Sequence, residues 1–313
     1  MSSLPRVLAV VGPTAAGKSR LGLELAARLK LPILCCDSVQ VYRRLDIGSA
    51  KPTLEERAAV PHHLLDLVDP DADFSAGDYG RAAHEALARG PGIFVGGTGF
   101  YLRAVAWTQS GADAPEASLS SPQRAEFSDM WERRDADEPG AAHRELARVD
   151  PETAASVHPR NVVRTVRALW LCQLHGGPVS QVRRSDPPQR RVELALLLVD
   201  PGVDVVDAAI ERRCARMFAR GWVAEVEKLV ADGYDERHKA MGSLGYRQVL
   251  EHVRGRRSRA DAIASITAAT RAYARRQRTY FRHQLDPALK ITVTDPETCP
   301  YGQLEAFLAG GRR

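Results

Sequence analysis

No apolar run in the 313 residues approaches the about 18 needed to cross a bilayer, so no membrane-spanning helix is expected. The chain moves from "SSLPR" straight into "VLAVV" without a leader-like segment, so secretion is not expected either. The cysteines are few and scattered. Cys35, Cys36, Cys172, Cys214 and Cys299 show no metal-ligand spacing, and an odd number argues against a disulfide framework. Buried or free thiols in a reducing cytoplasm are the expectation. Neither an internal repeat nor a low-complexity tract is visible. The strand that ends in "FVGGTG" also lacks the closing acidic residue that a hydrolytic ATPase uses there to organise Mg²⁺ and water. The nearest imitation, Asp66 in "LLDLVD", interrupts its run instead of ending it. That weakens the case for a motor or switch ATPase.

What is present begins at "VVGPTAAGKS". Gly12, Pro13, Thr14, Ala15, Ala16, Gly17, Lys18 and Ser19 fit the spacing of a phosphate-binding loop. Glycines let the backbone curl so that N–H groups face phosphate oxygens, and the following helix adds its positive end. Lys18 supplies a point charge, and the Ser19 hydroxyl is placed to ligate Mg²⁺. The motif establishes phosphate binding without saying whose phosphates are held, or whether ATP takes any part.

Short apolar runs at 6–11, 32–36, 63–68 and 92–97 alternate with helical patterns, which implies a parallel sheet with crossover helices. After Trp107 a turn-rich stretch leads into helical patterns, and "VELALLLVD" returns as a buried strand, followed by more helix. The expected fold is α/β: a P-loop NTPase-like parallel sheet flanked by helices, spanning residues 1–112 and resumed over 191–313. A mostly helical insertion occupies 113–190. In this plan "PVSQVRRSDPPQRR" is a linker, and everything from Val205 onward is helical.

Charge is uneven. Residues 211–282 hold 17 Lys and Arg against 8 Asp and Glu, a local +9 in a chain whose total is +5. A basic third on a slightly acidic body suits a polyanionic partner, or simply a solvated arginine-rich surface. Arg271, Arg275, Arg278 and Arg282 fall on one helical face, with Gln277 and Tyr280 nearby, and Arg160, Arg164 and Arg167 share another. Asp37 directly follows the second strand, which sets its carboxylate beside the phosphate loop, where it could accept a proton. Ser38 and Gln40 could hydrogen-bond a base edge, or merely cap a turn. Thr98 is a neutral donor after a glycine pair, suited to a departing diphosphate or to a helix cap. Lys51 is a further cation that could reach either the phosphates or a helix end.

Eight stretches in order, "GPTAAGKS", "DSVQVYRRLDIGSAKP", "PHHLLD", "FSAGDY", "GGTGFYLRA", "HPRNVVRTVRALW", "GSLGYRQV" and "TRAYARRQRTYFR", closely resemble the bacterial tRNA dimethylallyltransferases, from about residue 6 to about 284. The resemblance implies that the loop holds the diphosphate of dimethylallyl diphosphate with Mg²⁺. The acceptor would be the exocyclic amine of the adenosine 3′ of the anticodon, in tRNAs reading codons that begin with U. It implies Asp37 as base, Thr98 and Lys18 at the reacting groups, and Arg213 on the diphosphate, where the family places an arginine four residues before a methionine. The family's earlier arginine in that helix is Ala209 here.

For the anticodon stem-loop the resemblance implies contacts at Asp37, Ser38, Val39, Gln40 and Thr98, at Arg124, and at Arg160, Val163, Arg164, Thr165, Val166 and Arg167. It adds Gly242, Ser243, Leu244, Gly245, Tyr246 and Arg247, the family often having cysteine where Ser243 stands. The last helix would contribute Arg271, Arg275, Arg276, Gln277, Arg278, Thr279, Tyr280, Phe281 and Arg282. An adenine stacked in the loop would have to be extruded to react. No Cys/His zinc module of the kind found in eukaryotic relatives is present, which favours a bacterial, cytoplasmic enzyme, expected to act as a monomer. The alternatives are an adenylate isopentenyltransferase, a small-molecule kinase and a non-catalytic RNA-binding protein.

Overall fold

The computed structural model describes residues 4–108 and 122–310. Two compact units emerge: Met1–Ala106 with Arg191–Arg313, and Trp107–Arg190. The boundary expected at residue 113, and most of the turn-rich stretch around it, lie outside the described residues.

The first unit is built on a parallel sheet in the order β3-β2-β4-β1-β5-β6. Its strands are β1 (Arg6–Val11), β2 (Ile33–Cys36), β3 (His62–His63), β4 (Ile93–Gly96), β5 (Glu193–Val199) and β6 (Leu289–Val293). β1 pairs with β4 on one side and β5 on the other. Its residues from Val7 to Val11 are buried on both faces, which is why "VLAVV" reads as an unbroken apolar run. The helices of this unit are α1 (Lys18–Leu29), α2 (Leu54–Ala59), α3 (Ala76–Arg89) and α4 (Gly99–Ala106) before the second unit. After it come α10 (Val203–Ala219), α11 (Trp222–Ala231), α12 (Tyr246–Val253), α13 (Arg259–His283) and α14 (Tyr301–Leu308).

Two expectations are corrected here. The run at 63–68 contributes only the start of a strand. Leu64 and Asp66 take left-handed backbone, and Asp66 turns to pair with Lys51 and Arg57, so the segment is a loop. The stretch beyond Val205 is not wholly helical: "LKITV" adds β6 in parallel register beside β5. It alternates half-buried and exposed positions, as an edge strand does.

The second unit comprises α5 (Pro122–Asp137), α6 (Ala141–Val149), α7 (Pro151–Ser156), α8 (Val162–His175) and α9 (Val179–Ser185). Trp131, Leu146, Val166, Leu169 and Val179 form its core. α8 starts on Asn161, whose side chain accepts the Arg164 N–H, and stops at left-handed Gly176. The expected linker at 178–191 instead contains α9. Its N-terminal turn is held because the buried Asp150 carboxylate accepts the Ser180 N–H at 2.9 Å, while capping α7 through Thr153.

Candidate active site

The phosphate loop joins β1 to α1. Gly12 has φ +144°, and a Cβ there would sit 2.2 Å from the Val199 carbonyl oxygen, so a side chain would force β1 and β5 apart. Gly17 takes φ +94° at the head of α1. Lys18 folds back so that its Nζ donates to the Pro13 carbonyl at 2.7 Å. Burial, reinforced by the nearby Arg213 charge and partly offset by Asp37, lowers the Lys18 amine to about 7.

Asp37 leaves the end of β2 in a tight turn. Its Oδ1 accepts the N–H groups of Val39 at 2.8 Å and Gln40 at 3.3 Å, an Asx-type turn that fixes the carboxylate. Across from it, the Thr98 Oγ1 accepts the Ser38 N–H at 3.0 Å, joining the ends of β2 and β4. Arg213 reaches in from α10, its Nη1 donating to Thr14 Oγ1 at 3.3 Å and its Nη2 approaching the Ser49 carbonyl at 3.5 Å. Burial lowers its pKa, while Asp37 partly restores it. The neighbouring Arg212 is exposed, so the inward arginine of the pair is Arg213.

Two cavities meet here. One of about 310 Å³ is lined by Lys18, Ser19 and Arg220 and is mostly polar. The other, of about 300 Å³, is lined by Ile210, Met217, Trp222, Leu244 and Ile266 and is mostly apolar. Thr14, Asp37, Arg213 and Tyr273 border both. A phosphate-bearing group and a flat or aliphatic organic group could thus occupy adjacent chambers with a single carboxylate between them. Among the described residues no cluster of His, Cys, Asp and Glu is arranged to hold a metal by itself.

The helix that carries the arginine stripe packs one face into the first unit. α13 buries Ala262, Ile266, Ala274, Gln277 and Phe281, and the arginines lie one position further round, at the margin of that interface. They are taken up by carboxylates. Arg271 pairs with Asp207 and Glu211, Arg275 approaches Asp207 at 3.5 Å, and Arg278 and Arg282 both bind the buried Asp200. Gln277 is turned inward onto the phosphate loop, and Phe281 is core; neither presents its side chain to an RNA. Tyr280 lies against Gly99 and Phe100, and the Thr279 hydroxyl is returned to the Arg275 carbonyl. Of the arginines in this set, only Arg276 is exposed without a carboxylate partner among the described ion pairs; it lies over Tyr273.

Several other residues expected at the RNA have buried or already partnered side chains. Tyr246 is fully buried beside Trp222 and donates to Glu225 Oε1 at 2.7 Å, so it shapes its loop from within. Thr165 and Val166 face the core of the second unit, and Arg124 is also buried and partnered. Gln40 Nε2 is committed to the carbonyls of Ser49 and Ala50, both at 3.1 Å. Lys51 is structural, its Nζ held by the Tyr42 carbonyl, Asp46 and Asp66. By contrast Arg160, Val163, Arg164 and Arg167 are exposed on the second unit, as are Gly242 and Arg247 on the first. Ser38, Val39, Ser243 and Leu244 line the apolar chamber.

The sequence reading missed Tyr273, Trp222 and Glu225. Tyr273 is pushed up to about 12 by burial and by Asp37, against hydrogen bonding to Thr98 and Gln277. Its signal was available, since it precedes Gln277 by one helical turn. Glu225 accepts the N–H groups of Asp46, Ile47 and Gly48, holding the loop whose carbonyls fix Gln40 and Arg213. All five cysteines are free and buried.

Comparison with known proteins gives a consistent result. A family model described as IPP transferase matches residues 40–284, and one described as Isopentenyl transferase matches residues 5–66. A tRNA dimethylallyltransferase of Geobacter metallireducens is 43% identical over 286 residues, covering 88% of this chain and 89% of its own. One from Myxococcus xanthus is 42% identical, covering 90% of each. Among solved structures, the full-length tRNA isopentenylpyrophosphate transferase of Bacillus halodurans is similar with a TM-score of 0.65 at 31% identity. That match covers 98% of this chain and 96% of the other. A eukaryotic dimethylallyltransferase acting on tRNA shares the fold, with a TM-score of 0.80 at 20% identity, covering 98% and 80%.

Proposed function

Since the chain belongs to the IPP transferase family of tRNA dimethylallyltransferases, we propose that it transfers a dimethylallyl group from dimethylallyl diphosphate to the exocyclic N6 of an adenosine in tRNA, releasing diphosphate. The acceptor is the adenosine 3′ of the anticodon in tRNAs reading codons that begin with U. The observation that carries this reading is Asp37 on the border of the polar and apolar chambers, with Lys18 and Arg213 near enough to feel its charge.

The chemistry divides along that border. The diphosphate lies in the polar chamber, where loop amides, Lys18 and Arg213 offset the charge that grows as the allylic C1–O bond breaks. The adenine, taken out of its stack, enters beside Asp37 and Ser38. Its amine is a poor nucleophile because the lone pair is delocalised into the ring. As N6 bonds to C1, Asp37 accepts the departing proton, so the transition state carries no full positive charge on the amine. Thr98 keeps the Asp37 turn in place through Ser38.

A Mg²⁺ ion suits this site, because such ions bind through one or two protein oxygens with phosphate oxygens and water supplying the rest. Ser19, exposed in the polar chamber, would be its protein ligand, and the ion would neutralise the leaving diphosphate. No described helix is long and apolar enough to cross a membrane; we place the enzyme in the cytoplasm, acting as a monomer.

The test is incubation with dimethylallyl diphosphate, Mg²⁺ and an unmodified tRNA, followed by nucleoside mass analysis. The expected product is an adenosine heavier by one five-carbon unit. Prenylation of AMP with none of the anticodon stem-loop would overturn the assignment of tRNA as acceptor.

A further inference from the structure

Gln277 makes two hydrogen bonds that no other described side chain combines. Its Oε1 accepts the Thr14 N–H of the phosphate loop at 2.8 Å, and its Nε2 donates to the Gly97 carbonyl at 2.8 Å, just after β4. The amide is buried at 6% exposure, and its orientation is fixed by its partners, since one end must accept and the other must donate. A Cβ at Gly97 would lie 2.2 Å from Nε2, so a side chain there would displace the Gln277 amide. Two loops are thereby held at a fixed separation, one carrying Thr14 and Lys18, the other leading into Thr98. α13 itself is anchored one residue further on by Arg278 to Asp200.

We propose that Gln277 is a positioning residue for the transfer reaction: it sets the phosphate loop and the Thr98 loop in register, so that the allylic carbon is presented to the nucleophile at bonding distance. The inference rests on the prenyl-transfer reading above. The amide suits this task because it satisfies an N–H and a C=O at once, and a displacement of about 1 Å at a reacting centre costs on the order of 10²-fold in rate. Gln277 lies on the wall of the polar chamber, and in this role it acts through the loops it joins.

The experiment compares wild type with Q277M and Q277E. Q277M keeps the length of the side chain and loses both hydrogen bonds. Its kcat should fall on the order of 10²-fold, with KM for the stem-loop RNA within about twofold of wild type. Q277E supplies the sharper readout. Its neutral carboxylic acid reproduces both contacts, whereas its carboxylate still accepts from Thr14 but cannot donate to Gly97. Activity relative to wild type should therefore be highest near pH 5.5 and fall as pH rises to 8.5. A merely space-filling role would leave that ratio flat.

A Q277M kcat within twofold of wild type, or a flat Q277E ratio, overturns the proposal. Melting temperatures accompany both variants. If Q277M unfolds, Q277E at acid pH carries the test; loss of fold in both at every pH assigns Gln277 to stability alone and also overturns it. Calorimetric titration with inorganic diphosphate separates this inference from the reading beneath it. Weaker diphosphate binding by Q277M supports Gln277 as the brace of the loop even if wild type modifies no RNA, whereas an unchanged affinity counts against it.

Discussion

Arg278 and Asp200 form a forked ion pair: Nε lies 2.8 and 3.0 Å from the two carboxylate oxygens, and Nη2 lies 2.7 Å from one of them. Asp200 follows the last residue of β5, and Arg278 belongs to α13, so the pair bolts the long helix to the end of a central strand. Arg282 adds a second guanidinium at 2.8 Å. Half of what reads in the sequence as a basic stripe is thus consumed by one buried carboxylate.

Removing that carboxylate should be costly. Burial opposes the charged form of Asp200, but bonding to Arg278 and Arg282 outweighs it and leaves the carboxyl below its usual range. A depressed carboxyl contributes stability above its unfolded pKa, near 4, and loses it as pH falls through the folded value. D200A leaves a mostly buried guanidinium unpaired and should cost about 3–5 kcal/mol in denaturant unfolding at pH 7. The gap to wild type should narrow below pH 4.

The fold was legible because its signals are local. "VLAVV" and "LALLLV" are buried on both faces and show it by composition, and the phosphate loop by spacing. β6 was not, since "LKITV" is a short edge strand whose alternation resembles a loop's. The α13 stripe misled for a different reason. Arginines at i, i+4, i+7 and i+11 describe one face of a helix but not what lies opposite it, and Asp200 and Asp207 are distant in sequence. Asp37 was readable because it adjoins a strand end, and Lys18 because it stands at a fixed position of the phosphate-loop spacing. Glu225 acts through the packing of α11, which no single segment reveals, whereas Tyr273 stands one helical turn before Gln277 on the same helix.

Because the α13 arginines are mostly paired, the salt dependence of RNA binding should come largely from the second unit. Arg160 and Arg164 are exposed near the start of α8. Each lost phosphate contact lowers the slope of log affinity against log salt by about 0.7–0.9. The double variant R160Q/R164Q should flatten the slope by about 1.5, measured by filter binding of a stem-loop across salt concentrations. R275Q should leave it nearly unchanged.

Asp37 has two oxygens with separable duties. Oδ1 accepts the Val39 and Gln40 N–H groups, and D37N can preserve that turn while removing the proton acceptor. The turnover of D37N should drop by roughly 10²–10⁴-fold, with RNA affinity nearly intact. D37A loses the turn as well and should cost a further ~1 kcal/mol of stability. Unchanged turnover in D37N removes Asp37 from the base role.

Adjacent arginines on α10 should behave differently. Arg213 contacts Thr14 and borders both chambers, whereas Arg212 faces solvent. R213A should weaken inorganic diphosphate binding by on the order of tenfold or more, as expected for loss of a charged hydrogen bond of about 1.5–3 kcal/mol. R212A should be near neutral in the same titration. Equal losses in both would mean that their effect is general charge, not contact.

Lys18 makes the empty loop sensitive to pH. Its amine sits at about 7 because burial and the Arg213 charge disfavour the cation, with Asp37 only partly compensating. A bound diphosphate places negative charge against that amine and raises its pKa. Below pH 7 the lysine is already charged, so binding takes up little proton there. Between about 7 and the higher bound-state value, binding draws a proton from solution, and affinity falls as pH rises. Diphosphate titrations at pH 8 in buffers of different ionisation heat should show uptake of up to one proton. K18M should abolish that uptake along with most of the affinity, and persistence of the uptake in K18M would assign the proton to another group.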